Sequence, residues 1–416
     1  MKILFVTEYY PPKVMGGGEI NVQLLASMLA KKKIEVLILT SYHQGLLQME
    51  KKDGITIYRR LKTGKDASTF SGNVKRASIF PKSTAKEVKR ILKEEKIDAI
   101  HFIGTSIIAA PQLHRSNVPL FATIESYPAL CPKGDRIFHG KKECTVKCSF
   151  LKFLSCQSDS GEIGKMKNRW CIKYNAPLLS YIYRYYQELN DSLKYCHLIA
   201  ISGYVQGLLR QQGHESTTVP NAIKINDFKV VGKKKNKKEK IIFLGAFIKS
   251  KGAQVLLEAI EGLDAECELY GEGVLKEELR AIIAEKKLNA KICLPVSYDK
   301  IPSVYADADI IVFPSLWPEP FGRIAIEAMA AGKPVIGSAI GGIKETVKEG
   351  TGILVDPGNV QQLREAIELL LHEPALRKNM GLKGRRIAKE LYAEERVADQ
   401  LLLMYKSKAS LYQNRP

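Results

Sequence analysis

The sequence has no apolar run approaching the roughly 18 to 20 residues that a membrane-spanning helix needs, so spanning helices are not expected. Its first apolar run, Ile3 to Val6, stops short of Glu8 and is too brief for a secretory signal, which points to a cytosolic chain. Cysteine is scarce, eight in 416 residues, which excludes a disulfide scaffold and favours thiols or metal ligands in a reducing setting. Short internal repeats and low-complexity tracts are missing, which argues against a repeat architecture. No recognised nucleic-acid-binding signature occurs, nor any alternation of basic and aromatic residues along a strand, so nucleic acid is disfavoured as a partner. Acidic residues are outnumbered, 44 Asp and Glu against 64 Lys and Arg, for a net charge of +20. Residues 1–222 carry 33 basic and 18 acidic side chains, hence +15, and residues 223–416 carry the remaining +5. A basic first half suits an anionic membrane surface or an acidic acceptor, with plain solubility as the alternative.

What is present reads as an α/β protein. Its length implies two domains of about 150 to 200 residues. Ile3–Val6 and Val36–Leu39 read as buried strands around a loop holding Gly16, Gly17 and Gly18 and a helix from Glu19 to about Ala30. Further strands are expected at Ala99–Ile103, Leu120–Ile124 and Leu198–Ile201, with helices at about Thr84–Glu95, Pro177–Leu193 and Tyr204–Gln212. The second half repeats the alternation with strands at Ile241–Leu244, Glu266–Tyr270, Ile292–Leu294, Asp309–Phe313, Val335–Gly337 and Ile353–Val355. Such alternation argues parallel sheets. Lys229–Lys240 reads as a solvated lysine-rich linker, and residues from about Ala393 onward as a terminal helix.

One stretch organises the rest: Glu319 to Gly337, EPFGRIAIEAMAAGKPVIG. A loop bounded by Pro314 and Pro318 leads into a helix over Arg323–Ala331, with Gly332 placed as its C-cap. Glu327 falls in the second helical turn. Glu319 lies just ahead of the helix, where the amides of Phe321, Gly322 and Arg323 are free to bind an anion or a hydroxyl-rich ligand. Carboxylates at both places can accept hydrogen bonds from sugar or ribose hydroxyls.

With Glu319 and Glu327 spaced around Pro320-Phe321-Gly322, and Ala331-Gly332-Lys333-Pro334-Val335 following, the chain resembles the family-4 retaining glycosyltransferases of GT-B fold. The resemblance implies two doubly wound Rossmann-like domains facing across a cleft: residues 1–222 on the acceptor side, 223–392 binding the nucleotide-sugar, and 393–416 as a helix crossing back to the first domain. It assigns Glu319 to the donor sugar, Glu327 to the ribose, and the amides of Phe321 and Gly322 to sugar and diphosphate. Gly16-Gly17-Gly18-Glu19 matches the family's Gly-Gly-x-Glu, which places Gly17 and Gly18 beside the donor phosphates and the acceptor. Val219-Pro220-Asn221-Ala222 resembles the interdomain turn. Lys251 matches a lysine that pairs with the diphosphate.

Two departures stand out. The family's Arg after the first strand of the second domain is Ala246 here, a loss that Arg323 could offset. The family's His after the Leu120–Ile124 strand is Glu125, a carboxylate able to accept an acceptor's hydroxyl proton or bind a sugar hydroxyl. His101 resembles another frequent histidine, or is a satisfied core residue. The expected activity is transfer of a sugar from a UDP- or GDP-linked donor to a glycan, lipid-linked or small-molecule acceptor, with no metal cofactor. Catalysis would rest on Glu319, Lys251 and Glu125. The alternatives are a non-catalytic subunit of another transferase, or a nucleotide-sugar epimerase or hydrolase on the same fold.

An insertion at about 131–171 shows little regular pattern and gathers Cys131, Cys144, Cys148, Cys156 and Cys171. Four thiolates could close a structural zinc site through Cys131, Cys144, Cys148 and Cys156; reduced thiols are the other reading. Ser149–Tyr195 is rich in Lys, Arg and Tyr, which suits a membrane interface or ordinary half-buried packing.

Overall fold

The computed structural model describes residues 1–14, 16–63, 70–139, 142–158, 176–229 and 238–413. Strands β1 (Lys2–Val6), β2 (Glu35–Ser41), β3 (Met49–Lys52), β4 (Ile55–Leu61), β5 (Ala99–Ile103), β6 (Leu120–Ile124), a two-stranded ribbon β7 (Ile137–Phe138) and β8 (Lys142–Glu143), then β9 (His197–Ala200) and β10 (Ser216–Thr218) belong to the first half. The ribbon aside, they form one sheet in the order β10-β9-β6-β5-β1-β2-β4-β3. The second half holds β11 (Lys240–Leu244), β12 (Glu266–Tyr270), β13 (Ala290–Cys293), β14 (Ile310–Phe313), β15 (Val335–Ser338) and β16 (Gly352–Val355), in the order β13-β12-β11-β14-β15-β16. Every pairing in the two sheets is parallel except β3 with β4. Central strands such as β5, β6 and β14 are buried along their whole length, as helices on both faces require.

Apolar runs gave most of these strands away, and the exceptions have physical causes. β3 is mostly exposed and charged, so it shows no alternation. β4 carries Arg59 inward at 3% exposure, tolerable because Glu50 on β3 meets it at 2.7 Å. The helix expected from Thr84 begins at Phe70 and runs through Pro81 to Glu94. The first glycine-rich segment is also corrected. Its helix starts at Gly17, with Gly16 as an extended N-cap and the Glu19 carboxylate accepting from the Gly16 amide at 2.9 Å. Lys240 is not part of a solvated linker but a buried strand residue, meeting Glu268 at 2.7 Å and also Asp307; residues 230–237 lie outside the described residues. The cysteine-bearing insertion contains the β7–β8 ribbon and a helix, Phe150–Ser158.

The terminal helix, Glu394–Gln413, packs on the first domain. Its Val397, Ala398, Leu401 and Tyr405 share one buried cluster with Ile3, Phe5, Val22 and Leu29, and the larger of these side chains contribute about 1.5 to 3 kcal/mol each by burial. Where the chain crosses between domains it does so twice, side by side. The Ile223 amide donates to the Tyr392 carbonyl at 2.8 Å and the Glu394 amide to the Ile223 carbonyl at 3.1 Å.

Candidate active site

The β14–helix connection positions the central groups. Phe321 is buried and meets Tyr392 edge-on at 5.8 Å, so its side chain anchors the loop and leaves only its backbone to a ligand. Gly322 follows with φ 95°, a left-handed turn that costs glycine nothing and starts the Arg323–Ala330 helix. Glu319 Oε1 accepts from Lys251 Nζ at 2.5 Å, Ser315 Oγ at 3.0 Å and Trp317 Nε1 at 2.9 Å. The Lys251 ammonium also lies 5.2 Å from the Trp317 ring centre. Lys251 and Glu319, 68 residues apart, are thus one unit.

Glu327 is 6% exposed and heavily engaged. Its Oε1 accepts from Arg323 Nε at 2.9 Å and Tyr298 Oη at 3.3 Å, and its Oε2 from Tyr305 Oη at 2.9 Å. A carboxylate has about four acceptor sites, so Oε2 keeps room for one more donor. Burial and the Glu327 charge raise the pKa of both phenols, which stay protonated donors. Arg323 also donates from Nη2 to Tyr298 Oη at 2.6 Å and from Nη1 to the carbonyl of Ala222 in the interdomain turn at 3.3 Å.

The first domain brings Gly17, Gly18 and Glu125 to the same place. A Cβ on Gly17 would lie 2.9 Å from Arg323 Cδ, and one on Gly18 would lie 2.2 Å from Glu125 Oε2. The glycines serve close approach. Burial, with a smaller contribution from Glu19, lifts the Glu125 carboxyl to about 7. Among the described residues its Oε1 is buried without a hydrogen-bond partner. Asn21 also bears on Glu125, and its Oδ1 accepts from the Ala222 amide at 2.7 Å. His101 lies elsewhere, bonded to Tyr405 Oη at 2.5 Å and Thr123 Oγ1 at 2.7 Å; burial lowers its pKa to about 3, so it is a neutral core residue under the terminal helix.

Contacts from the first domain also hold the loop before the helix. The Pro318 carbonyl accepts from Tyr127 Oη, the Pro320 carbonyl from Ser202 Oγ at 2.6 Å, and Glu345 from the Gly203 amide at 2.7 Å. Sequence reasoning missed Asn21, Tyr127, Ser202, Tyr298, Tyr305, Ser315 and Trp317. Trp317 was within reach, being one of two tryptophans in the chain and two residues before Glu319. Tyr298 and Tyr305 carry no local signal, because only the fold brings them to Glu327.

Two parallel-sheet domains closing on a helix mouth lined by two carboxylates, with a terminal helix crossing back, define the GT-B class. Sucrose-phosphate synthase from Thermosynechococcus elongatus shares this fold at a TM-score of 0.76 and 21% identity over 99% of both chains. Anabaena HepE, solved in complex with UDP, does so at 0.68 and 19% over 98% of this chain and 100% of its own. Two uncharacterized glycosyltransferases of Methanocaldococcus jannaschii are 24% and 25% identical, covering 95% and 98% of each chain. Residues 224–387 match the family described as glycosyl transferases group 1.

Proposed function

We propose that the protein transfers a sugar from a nucleoside diphosphate sugar to a glycan or lipid-linked acceptor with retention of anomeric configuration. The observation that carries this reading is the Lys251–Glu319 pair at 2.5 Å beside the start of the Arg323–Ala330 helix. It sets a cation for the leaving diphosphate next to a carboxylate for the sugar. In this reading Lys251 and the amides of Phe321, Gly322 and Arg323 stabilise the developing diphosphate charge. Glu327 accepts a ribose hydroxyl on Oε2. Glu319 faces the sugar carbon where positive charge develops. Glu125 accepts a hydrogen bond from the attacking acceptor hydroxyl. Protein cations and helix amides carry the phosphate charge, so no divalent ion is needed. UDP is the favoured nucleotide, since HepE has been solved with UDP and with UDP-glucose.

A thermal-shift screen of UDP- and GDP-sugars is the first experiment, because a true donor raises the melting temperature by mass action. The second follows the anomeric configuration of the transferred sugar by NMR, in chelator. Inversion, or activity only with added divalent ion, overturns the retaining or metal-independent reading respectively. Stabilisation by nucleotide-sugar without transfer or hydrolysis points instead to a non-catalytic subunit.

A further inference from the structure

One cluster plays no part in that chemistry. Cys131, Cys144, Cys148 and Cys156 all line a single small cavity of about 20 Å³, together with Leu130, Phe153 and Arg136. The β7–β8 ribbon and the Phe150–Ser158 helix bring them there from 26 residues of chain. The cavity is large enough for one water-sized particle, such as a single ion. Among the described residues no group of three or more His, Cys, Asp or Glu stands close enough together, as placed, to hold a metal ion. The sulfurs surround the cavity instead, their contacts being weak ones to backbone carbonyls: Cys156 to Ile137 at 3.6 Å, Cys148 to Ser149 at 3.5 Å and Cys144 to Val146 at 4.0 Å. Cys171 lies outside the described residues.

The second observation is the charge beside them. Arg136 is 1% exposed, and among the described residues its Nη1 reaches the carbonyls of Leu130 and Val146 at 3.3 Å while its Nε has no partner. Among the described residues no carboxylate pairs with it. A buried guanidinium without an anion is costly, and proteins retain one where a counter-charge belongs. Lys133 adds a second cation, shared between Cys156 Sγ and the Asp135 carboxylate, each 3.5 Å from its Nζ.

We infer that these four cysteines bind one zinc ion. On binding, each thiol releases its proton to solvent and the sulfurs turn inward as thiolates, with no oxidation or reduction. The resulting tetrathiolate carries two negative charges, and Arg136 and Lys133 supply the opposite sign. The site is structural, since no ligand position is left open. Its place gives it a purpose: the Cys131 amide bonds the Tyr127 carbonyl at 2.7 Å, and the Tyr127 side chain grips the Pro318 carbonyl. The ion would hold the wall against which the loop carrying Glu319 closes. This inference stands apart from the choice of donor and acceptor.

Metal analysis of the full chain, purified without chelator or added metal, is expected to find about one zinc per chain. Cobalt(II) exchanged into the wild-type chain is expected to give the intense charge-transfer absorption of thiolate ligation, a readout that needs no variant to fold. Cys148→Ser should lose the metal, and Arg136→Met should weaken zinc binding at least tenfold while leaving the cobalt spectrum thiolate in character. A metal content near zero with all eight thiols titrating, iron in place of zinc, or a deficit of thiols that persists in denaturant plus chelator, as a disulfide would give, each overturns the inference. So does zinc retained undiminished in the Cys131→Ser/Cys148→Ser variant.

Discussion

Glu125 holds a buried carboxyl oxygen without a partner among the described residues and titrates near 7, and both facts have measurable consequences. If its ionised form accepts the acceptor hydroxyl, kcat/KM for transfer rises with pH through about 7, and Glu125→Gln removes that limb and most of the rate. The stability sign is opposite. A carboxyl raised above its ordinary value favours the fold while protonated, so this contribution is complete below about 4.5 and lost as pH rises through about 7, to a limit of roughly 3 kcal/mol. Glu125→Gln should therefore unfold at a higher temperature than the wild type at pH 8 and nearly equally at pH 5; an unchanged difference between the two pH values refutes the buried-acid account. The two carboxylates of the helix mouth should fail differently. On the proposed roles, Glu327→Gln leaves the tyrosines and Arg323 facing a neutral amide and weakens ribose binding, so the donor KM is expected to rise by about one or two orders of magnitude with a smaller fall in kcat. On the same roles, Glu319→Gln removes charge beside the breaking bond and weakens the hold on Lys251, so kcat is expected to fall with donor affinity comparatively spared. Affinity for the nucleoside diphosphate, which has a ribose and no sugar, checks this: it should drop in the first variant and hold in the second.

At the scale of elements, the close approach of the first helix to Glu125 is the feature to break. Gly18→Ala would ordinarily gain helix stability, but here its Cβ meets Glu125 Oε2 at 2.2 Å and the carboxylate must leave. Transfer is expected to fall at least tenfold, with donor binding retained. Gly16→Ala is the control: nothing lies within 4 Å of its Cβ, and losing a glycine N-cap costs at most about 1 kcal/mol. Equal losses in both variants would show that the segment needs general flexibility, not space. Elements such as β5, β6 and β14 were legible because buried parallel strands are nearly uninterrupted apolar runs. So was the loop and helix from Glu319, whose proline, glycine and carboxylate spacing is local. The edge strand β3, the arginine-bearing β4 and the helix through Pro81 were hidden, since pairing and packing there override local pattern. The tyrosine cage around Glu327 was hidden for another reason: its members come from a separate segment and meet only after folding.

For the whole molecule, charge is the lever. Within the +15 excess of residues 1–222, the exposed apolar side chains of Val146, Phe150 and Leu151 are close in sequence to Lys142, Lys147 and Lys152. Vesicles containing anionic lipid are expected to bind the protein at low salt and release it at high salt, with neutral vesicles binding little. Salt-independent binding, or none at low salt, would remove the membrane from the account. The double crossing at Ile223 and Ala393 bears on how the cleft works. Two backbone segments stitched side by side behave as a flexure, bending about one line and resisting twist. Opening about that line leaves the Ala222–Arg323 contact, next to the pivot, nearly undisturbed. The grips of Tyr127 on Pro318 and Ser202 on Pro320 join the two domains through side chains alone and would have to part for the cleft to open. On the proposed roles, the Glu327 ribose seat and the Lys251–Glu319 pair both travel with the second domain, and what each closure assembles afresh is the approach of Gly17, Gly18 and Glu125 to them.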